Sequence, residues 1–211
     1  MKSLGSVVFV VDDDPSVRKS LTRVLTSAGY AVEAFASARE FLTRAPFVGP
    51  ACLVLDVRMP GLTGLELQQT LASHSHRMPI IFITGHGDVS MSVKAMKDGA
   101  SDFLTKPFDI SKLLAAVERA VAKDVVDLSD EGRTAGVLER VKRLSPRETE
   151  VFALVVTGML NKQIAGALGI GEKTVKVHRA RVMEKMEAGS VADLVRLADR
   201  AGVIVPEVVP H

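Results

Sequence analysis

The first half of the chain alternates short apolar runs with segments of helical periodicity, and this pattern constrains its fold more than any other feature. Strand-like runs occur near 6–11, 31–35, 51–55, 79–83 and 101–104, and helical segments near 15–28, 37–45, 64–73, 88–98 and 109–122. The runs ACLVL and PIIFI lack polar alternation, which is typical of parallel strands buried on both faces. We therefore predict an α/β fold, a (βα)5 doubly wound parallel sheet with helices on both faces, over residues 1–122.

Polar side chains follow the carboxyl ends of four of the five predicted strands. In chain order they are Asp12, Asp13, Asp14, Asp56, Thr84 and Lys106. Ligands of open parallel sheets bind beyond these ends, so we expect one site here, although a lone Asp56 could equally cap a turn. Neighbouring carboxylates repel unless a cation lies between them, and an all-oxygen set suits Mg²⁺ or Mn²⁺. With the metal bound, Asp56 would stay ionised as a nucleophile toward phosphorus, and Lys106 and Thr84 would contact the phosphoryl oxygens.

Four segments, VVDDD, LVLDVRMPGLTG, IIFITGHGD and DFLTKPF, resemble the motifs of the receiver domain of bacterial two-component response regulators. The resemblance covers about residues 5–122 and implies the strand order 2-1-3-4-5. It implies that Asp56 is the phosphoacceptor. It also implies that Asp12, Asp13 and the backbone carbonyl of Arg58 bind the metal together with Asp56.

The same resemblance assigns roles to residues of the fourth and fifth strand ends. Thr84 and Lys106 would sense the phosphoryl group, and Phe103 would move inward with Thr84. The Lys106–Pro107 peptide bond is expected to be cis, an isomer that is accessible mainly before proline. His86 lies where receivers vary; we interpret it as a loop side chain at the pocket mouth, with metal ligand or catalytic base as the alternatives.

A change of composition separates the two halves of the chain. Residues 123–141 mix acids, small residues and two glycines, and we interpret them as a linker that extends the helix of 109–122 and has a helical break near Gly132. An all-α domain is predicted over 142–211. Its first helix begins in LSPRETEVFALVVTG, where Ser145 is the N-cap and Glu148 closes a capping box.

The segment NKQIAGALGIGEKTVKVHRARVMEKM is predicted to form two helices around a glycine turn. Ala165, Gly169 and Val175 have the spacing of a helix-turn-helix, although an ordinary helical hairpin has a similar pattern. Between Lys142 and Lys185, nine Lys or Arg residues stand against four Asp or Glu residues, which suits a polyanionic partner or a solvated face. The candidate DNA contacts are Lys162, Lys173, Thr174, Lys176, Val177, His178, Arg179 and Arg181.

Residues 143–203 resemble the LuxR/FixJ-type DNA-binding domain, on the motifs LNKQIAGALGI and TVKVHRARVMEKM and a final helix over 190–201. Together the two halves resemble a FixJ-type response regulator with a four-helix DNA-binding domain. The resemblance implies a sensor histidine kinase as partner, homodimerisation on phosphorylation, and binding to paired half-sites of promoter DNA near RNA polymerase. It implies a transcription factor rather than an enzyme, with at most weak self-dephosphorylation.

Composition and two alternative functions complete the sequence evidence. The single cysteine, Cys52, cannot form an internal disulfide, and no signal peptide or membrane span is predicted, so we expect a cytoplasmic protein.

A magnesium-dependent phosphatase with an aspartate nucleophile would need an acid two residues after Asp56, where Arg58 stands. A small-ligand sensor would need an apolar cavity where the acids cluster.

Overall fold

The structure is a computed structural model that describes residues 5–72, 78–85 and 89–202, without the side chains of 89 and 90. His86 and the tail after 202 lie outside these ranges. The chain divides into two compact units, residues 1–129 and 130–211. The predicted limits of the linker, 123–141, stay a prediction.

The first unit contains a five-stranded parallel sheet in the order β2-β1-β3-β4-β5, as predicted. Its strands are β1 (Val7–Val11), β2 (Ala31–Phe35), β3 (Ala51–Asp56), β4 (Ile80–Thr84) and β5 (Asp102–Thr105). The accompanying helices are α1 (Pro15–Ser27), α2 (Ala38–Leu42), α3 (Gly64–Leu71), α4 (Val89–Lys97) and α5 (Ile110–Lys142). Every residue of β1, β3 and β4 is buried, which accounts for their unbroken apolar sequences.

Two aliphatic and aromatic cores cover the two faces of the sheet. Phe9, Leu55 and Phe82 belong to one core, while Val10 and Ile83 belong to the other. The register pairs Asp56 with Ile83, so neighbouring strands end at nearly the same level. The two cores therefore hold the polar carboxyl ends of the strands side by side.

Helix α5 extends the predicted segment 109–122 into the linker and runs for 33 residues through Gly132. The predicted break near Gly132 was wrong, because a single glycine costs a helix only about 1 kcal/mol and the flanking residues favour helix. Helix α5 also has anchors along its length. The carboxylate of Asp124 accepts a hydrogen bond from the backbone N–H of Ala51 at 2.8 Å, and Val137 is buried in the core of the second unit.

The second unit contains α6 (Pro146–Val156), α7 (Asn161–Leu168), α8 (Glu172–Met186) and α9 (Val191–Arg200). Ser145 and Glu148 form the predicted capping box of α6. Gly169 ends α7 with φ 64°, in the left-handed region that the helix-turn-helix spacing indicated. The N-cap of α7 is Leu160.

Candidate functional site

Lys106 contacts two acids at the carboxyl end of the sheet. Its Nζ atom lies 2.7 Å from Oδ2 of Asp12 and 2.8 Å from Oδ1 of Asp56. Asp12 is fully buried and Asp56 is 5% exposed. Three strand ends, those of β1, β3 and β5, thus bring together a cation and two carboxylates that are far apart in the sequence.

Backbone amides also donate hydrogen bonds to both carboxylates. Oδ2 of Asp56 accepts from the N–H of Arg58 at 2.7 Å, and Oδ1 of Asp12 accepts from the N–H of Asp14 at 2.9 Å. The turn after Asp56 also depends on Gly64, because a Cβ there would lie 2.3 Å from the backbone oxygen of Asp56. The PGLTG sequence therefore allows α3 to begin in direct contact with the end of β3.

The electrostatic environment of this cluster has opposing contributions. Burial raises the pKa of Asp56 above its ordinary value, although the hydrogen bond and the charge of Lys106 oppose the increase. Burial alone would lower the pKa of Lys106, but the hydrogen bonds and charges of Asp12 and Asp56 outweigh it and raise the pKa. Lys106 is therefore held in its charged form between the two acids.

Thr84 and Phe103 lie on the strands next to Asp56. Thr84 is buried at the end of β4, and its backbone oxygen accepts a hydrogen bond from the N–H of Lys106 at 2.6 Å. Phe103 is half-buried on β5, with its ring centroid 6.3 Å from that of Phe82. The Lys106–Pro107 peptide bond is cis, as the resemblance implies.

The third acid of the predicted metal set lies apart from the buried pair. Asp13 is exposed, and in the described part of the chain no three His, Cys, Asp or Glu side chains form a metal-binding group. The donor set nevertheless fits Mg²⁺, which is commonly held by one or two carboxylates while it keeps several waters. Asp12 and Asp56 supply the carboxylates, and each oxygen retains a lone pair beyond the hydrogen bonds described.

Most of the predicted DNA contacts are exposed residues of α8 and the start of α7. Val175, Val182 and Met186 of α8 are buried in the core of the second unit. The exposed candidates are Lys162, Lys173, Thr174, Lys176, Val177 and Arg181, and the half-buried ones are His178 and Arg179. Arg179 donates to Oδ1 of Asn161 at 2.9 Å, which fixes α8 against the start of α7. An elongated basic surface with one apolar side chain, Val177, has the character of a helix that enters a major groove.

Several contacts were missed by the sequence reasoning. Arg18 donates to the backbone carbonyl of Asp12 at 2.7 Å. Lys185 donates to Oε2 of Glu148 at 2.6 Å, across 37 positions of sequence. Glu148 could be recognised as part of a capping box, but nothing in its local sequence indicates a partner on another helix.

Comparison with known proteins supports both halves of the chain. Residues 8–118 match the family model of the response regulator receiver domain, and residues 142–198 match that of bacterial regulatory proteins of the luxR family. Nodulation protein W of Bradyrhizobium diazoefficiens is 49% identical, over 95% of this chain and 88% of that protein. The transcriptional regulatory protein FixJ of Rhizobium meliloti is 46% identical, over 92% of this chain and 96% of that protein.

A solved structure supports the same assignment. The structure of the response regulator StyR shares 46% identity at a TM-score of 0.82, covering 92% of this chain and 98% of that chain. In the ranges that the structure describes, none of the helices combines the length and apolar composition that crossing a membrane requires. The FixJ relatives are transcriptional regulatory proteins rather than enzymes, so the phosphatase alternative is set aside. The chain belongs to the FixJ-type two-component response regulators, with a receiver domain followed by a LuxR-type DNA-binding domain.

Proposed function

We propose that Asp56 accepts a phosphoryl group from a sensor histidine kinase, and that this modification controls dimerisation and sequence-specific DNA binding in the cytoplasm. The observation that carries the proposal is the contact of Lys106 Nζ with both Asp12 and Asp56, at 2.7 and 2.8 Å. An ammonium ion at this position can neutralise charge on a phosphoryl group attached to Asp56.

The chemistry follows from the position of the Asp56 carboxylate. One of its oxygens attacks phosphorus as the bond from phosphorus to the kinase imidazole nitrogen breaks, leaving an acyl phosphate and a free imidazole. Lys106 orients this carboxylate, and the hydroxyl of Thr84 would donate to a phosphoryl oxygen.

Asp12, Asp13, Asp56 and the carbonyl of Arg58 would hold Mg²⁺ or Mn²⁺. The ion would supply the positive charge that two or three neighbouring carboxylates and a phosphoryl group require.

The phosphoryl group would change the surface of the receiver domain through Thr84 and Phe103. As Thr84 and Lys106 move toward the new oxygens, the half-buried Phe103 would take up the space behind them. The surface formed by α4, β5 and the start of α5 would become the dimer contact. This surface carries exposed apolar side chains, since Val93 and Met96 are each 46% exposed and Ile110 is 53% exposed. If only ~1% of the resting protein were active, near-complete conversion would need ~5.5 kcal/mol of differential stabilisation.

The dimer would present two α8 helices to paired half-sites about one helical turn of DNA apart. Lys162, His178 and Arg179 would contact phosphates. Lys176 and Val177 would contact base edges, with Lys173 and Arg181 beside them on the side of α8 that enters the major groove. At a promoter, RNA polymerase is the expected further partner.

Phosphorylation of purified protein with acetyl phosphate and Mg²⁺ tests this proposal. We expect the intact mass to increase by one phosphoryl group in the wild type and in the Asp98→Asn control, whose changed residue is exposed on the turn after α4. Asp56→Asn should show no adduct. A phosphoryl adduct of equal yield on the Asp56→Asn variant would contradict the assignment.

A further inference from the structure

Arg18 of α1 makes two hydrogen bonds to the loop between β1 and α1. Its Nη1 atom donates to the carbonyl oxygen of Asp12 at 2.7 Å, and its backbone N–H donates to the carbonyl oxygen of Asp14 at 3.0 Å. The two accepting carbonyls belong to the residues on either side of Asp13. The bond to Asp14 is the ordinary backbone bond of the first helical turn, which any residue at this position makes, so the Arg18 side chain holds the loop through the carbonyl of Asp12, immediately before Asp13.

Asp13 itself has no comparable restraint. Its side chain is exposed, and no donor to its carboxylate is found among the residues that the structure describes. Asp12, by contrast, is held at four points: its N–H by Phe35, its two carboxylate oxygens by Asp14 and Lys106, and its carbonyl by Arg18. The direction of the Asp13 carboxylate thus depends on the backbone that Arg18 holds.

We propose that Arg18 is a positioning residue, which orients the Asp13 carboxylate toward a divalent cation bound by Asp12 and Asp56. The inference rests on the proposed function, because it assigns Arg18 to the cation site of that function. Arg18 touches neither the phosphoryl group nor the reacting atoms. Its side chain acts through the carbonyl group of Asp12, whose position helps to set the turn in which Asp13 lies.

The direction in which Mg²⁺ affinity changes when Arg18 is replaced distinguishes a positioning role from a simple charge effect. Arg18 is a cation, and a cation near the site repels another cation. If its charge were the main influence, removing it would tighten the binding of Mg²⁺. If Arg18 positions the loop, removing it will weaken that binding, because partners that orient metal ligands typically contribute 10–100-fold to affinity.

Titration of the full-length chain with Mg²⁺ alone, without a phosphoryl donor, tests the inference. We expect Arg18→Met to raise the dissociation constant about 10-fold, the lower end of that range, since Arg18 acts on a backbone carbonyl. Arg18→Lys keeps the charge and one donor but loses the guanidinium geometry, so it should restore part of the affinity. Arg23→Met is the matched control, because Arg23 is an exposed cation on the same helix; its affinity should stay within about twofold of wild type.

The amide resonances of Asp13 and Asp14, recorded without metal, provide a second readout. In Arg18→Met they should move from their wild-type positions, while those of β3 and β4 stay unchanged. Unchanged or tighter Mg²⁺ binding in Arg18→Met would overturn the inference, as would equal binding by all three variants. If Arg18→Met fails to fold, Arg18→Lys decides, with weaker binding supporting the inference and wild-type binding overturning it. Failure of the proposed function is a separate result, since Mg²⁺ affinity could depend on Arg18 even if Asp56 formed no adduct.

Discussion

The ion pair between Glu148 and Lys185 allows a quantitative prediction about the DNA-binding unit. Glu148 is 3% exposed, and its Oε2 atom accepts from Lys185 Nζ at 2.6 Å and from the N–H of Ser145 at 2.8 Å. The hydrogen bond from Lys185 and that from Ser145 lower the pKa of Glu148 to about 2. The pair connects the start of α6 with the C-terminal half of α8.

The change Glu148→Gln keeps the capping acceptor and removes the charge. A pKa lowered from 4.5 to about 2 corresponds to at most about 3.5 kcal/mol at roughly 1.4 kcal/mol per pH unit. The Lys185 side chain is 37% exposed, so solvent screening reduces the expected loss to about 1–2 kcal/mol at pH 7. We expect this loss in the free energy of unfolding of α6 and α8.

The loss should depend on pH in a defined direction. Because the pKa of Glu148 is lower in the folded state, its contribution is fully present above pH 4.5 and disappears as the pH falls toward about 2. Peptide-resolved hydrogen exchange of the full chain in increasing urea measures the difference between wild type and Glu148→Gln at each pH.

A matched control on the same helix is Glu150→Gln. Glu150 is also an acid of α6, but its side chain is 45% exposed, and within the described ranges its ion pair is with the neighbouring Arg147. The Glu150→Gln substitution should lower the free energy of unfolding by less than about 0.5 kcal/mol. Equal losses in the two variants, or a Glu148→Gln difference that persists down to pH 2, would refute the reasoning.

Three further substitutions test other parts of the account. Lys106→Met should weaken or abolish the DNA-binding response to acetyl phosphate, even in molecules that carry the adduct. Intact mass measures the adduct, and a mobility-shift assay of the same sample measures DNA binding. A normal response would contradict the sensing role of Lys106. Gln68→Leu should change the free energy of unfolding in urea by less than about 1 kcal/mol. The substitution removes two hydrogen bonds from Nε2 to backbone carbonyls at the end of α4. It also removes a buried Oε1 atom that has no hydrogen-bond partner among the described residues, and this gain offsets the loss. A loss of several kcal/mol would show that those bonds matter more. Lys176→Ala should weaken DNA binding at fixed salt and relax base preference, whereas Lys123→Ala, an exposed change on α5, should not; equal affinities would exclude Lys176 from the interface.

The sequence was most informative where one physical cause determines the local pattern. Complete burial of β1, β3 and β4 requires unbroken apolar runs, so the parallel sheet could be predicted from them. The carboxyl ends of parallel strands meet at one edge, so the sequence alone predicts that Asp12, Asp56 and Lys106 lie together.

The sequence was least informative where the outcome depends on contacts between distant elements. The contacts that α5 makes with other elements, the hydrogen bond of Asp124 to Ala51 and the burial of Val137, have no signal in the local sequence. The sequence gives Arg18 no feature that distinguishes it from other charged residues of an amphipathic helix, and only the folded chain brings it to the carbonyl of Asp12. Rotamer choice and helix packing determine such contacts, and the spacing of residues along the chain does not encode them.

The central claim is that a phosphoryl group on Asp56 controls DNA binding by α8, and one affinity comparison tests it most directly. The measurement is the dissociation constant for a promoter fragment, at fixed salt, with and without acetyl phosphate and Mg²⁺, for wild type and Asp56→Asn. The account predicts that acetyl phosphate tightens wild-type binding about 10-fold or more, within the usual range of coupling between sites, and leaves Asp56→Asn unchanged. Equal tightening in both proteins, or none in a fully phosphorylated wild type, would contradict it.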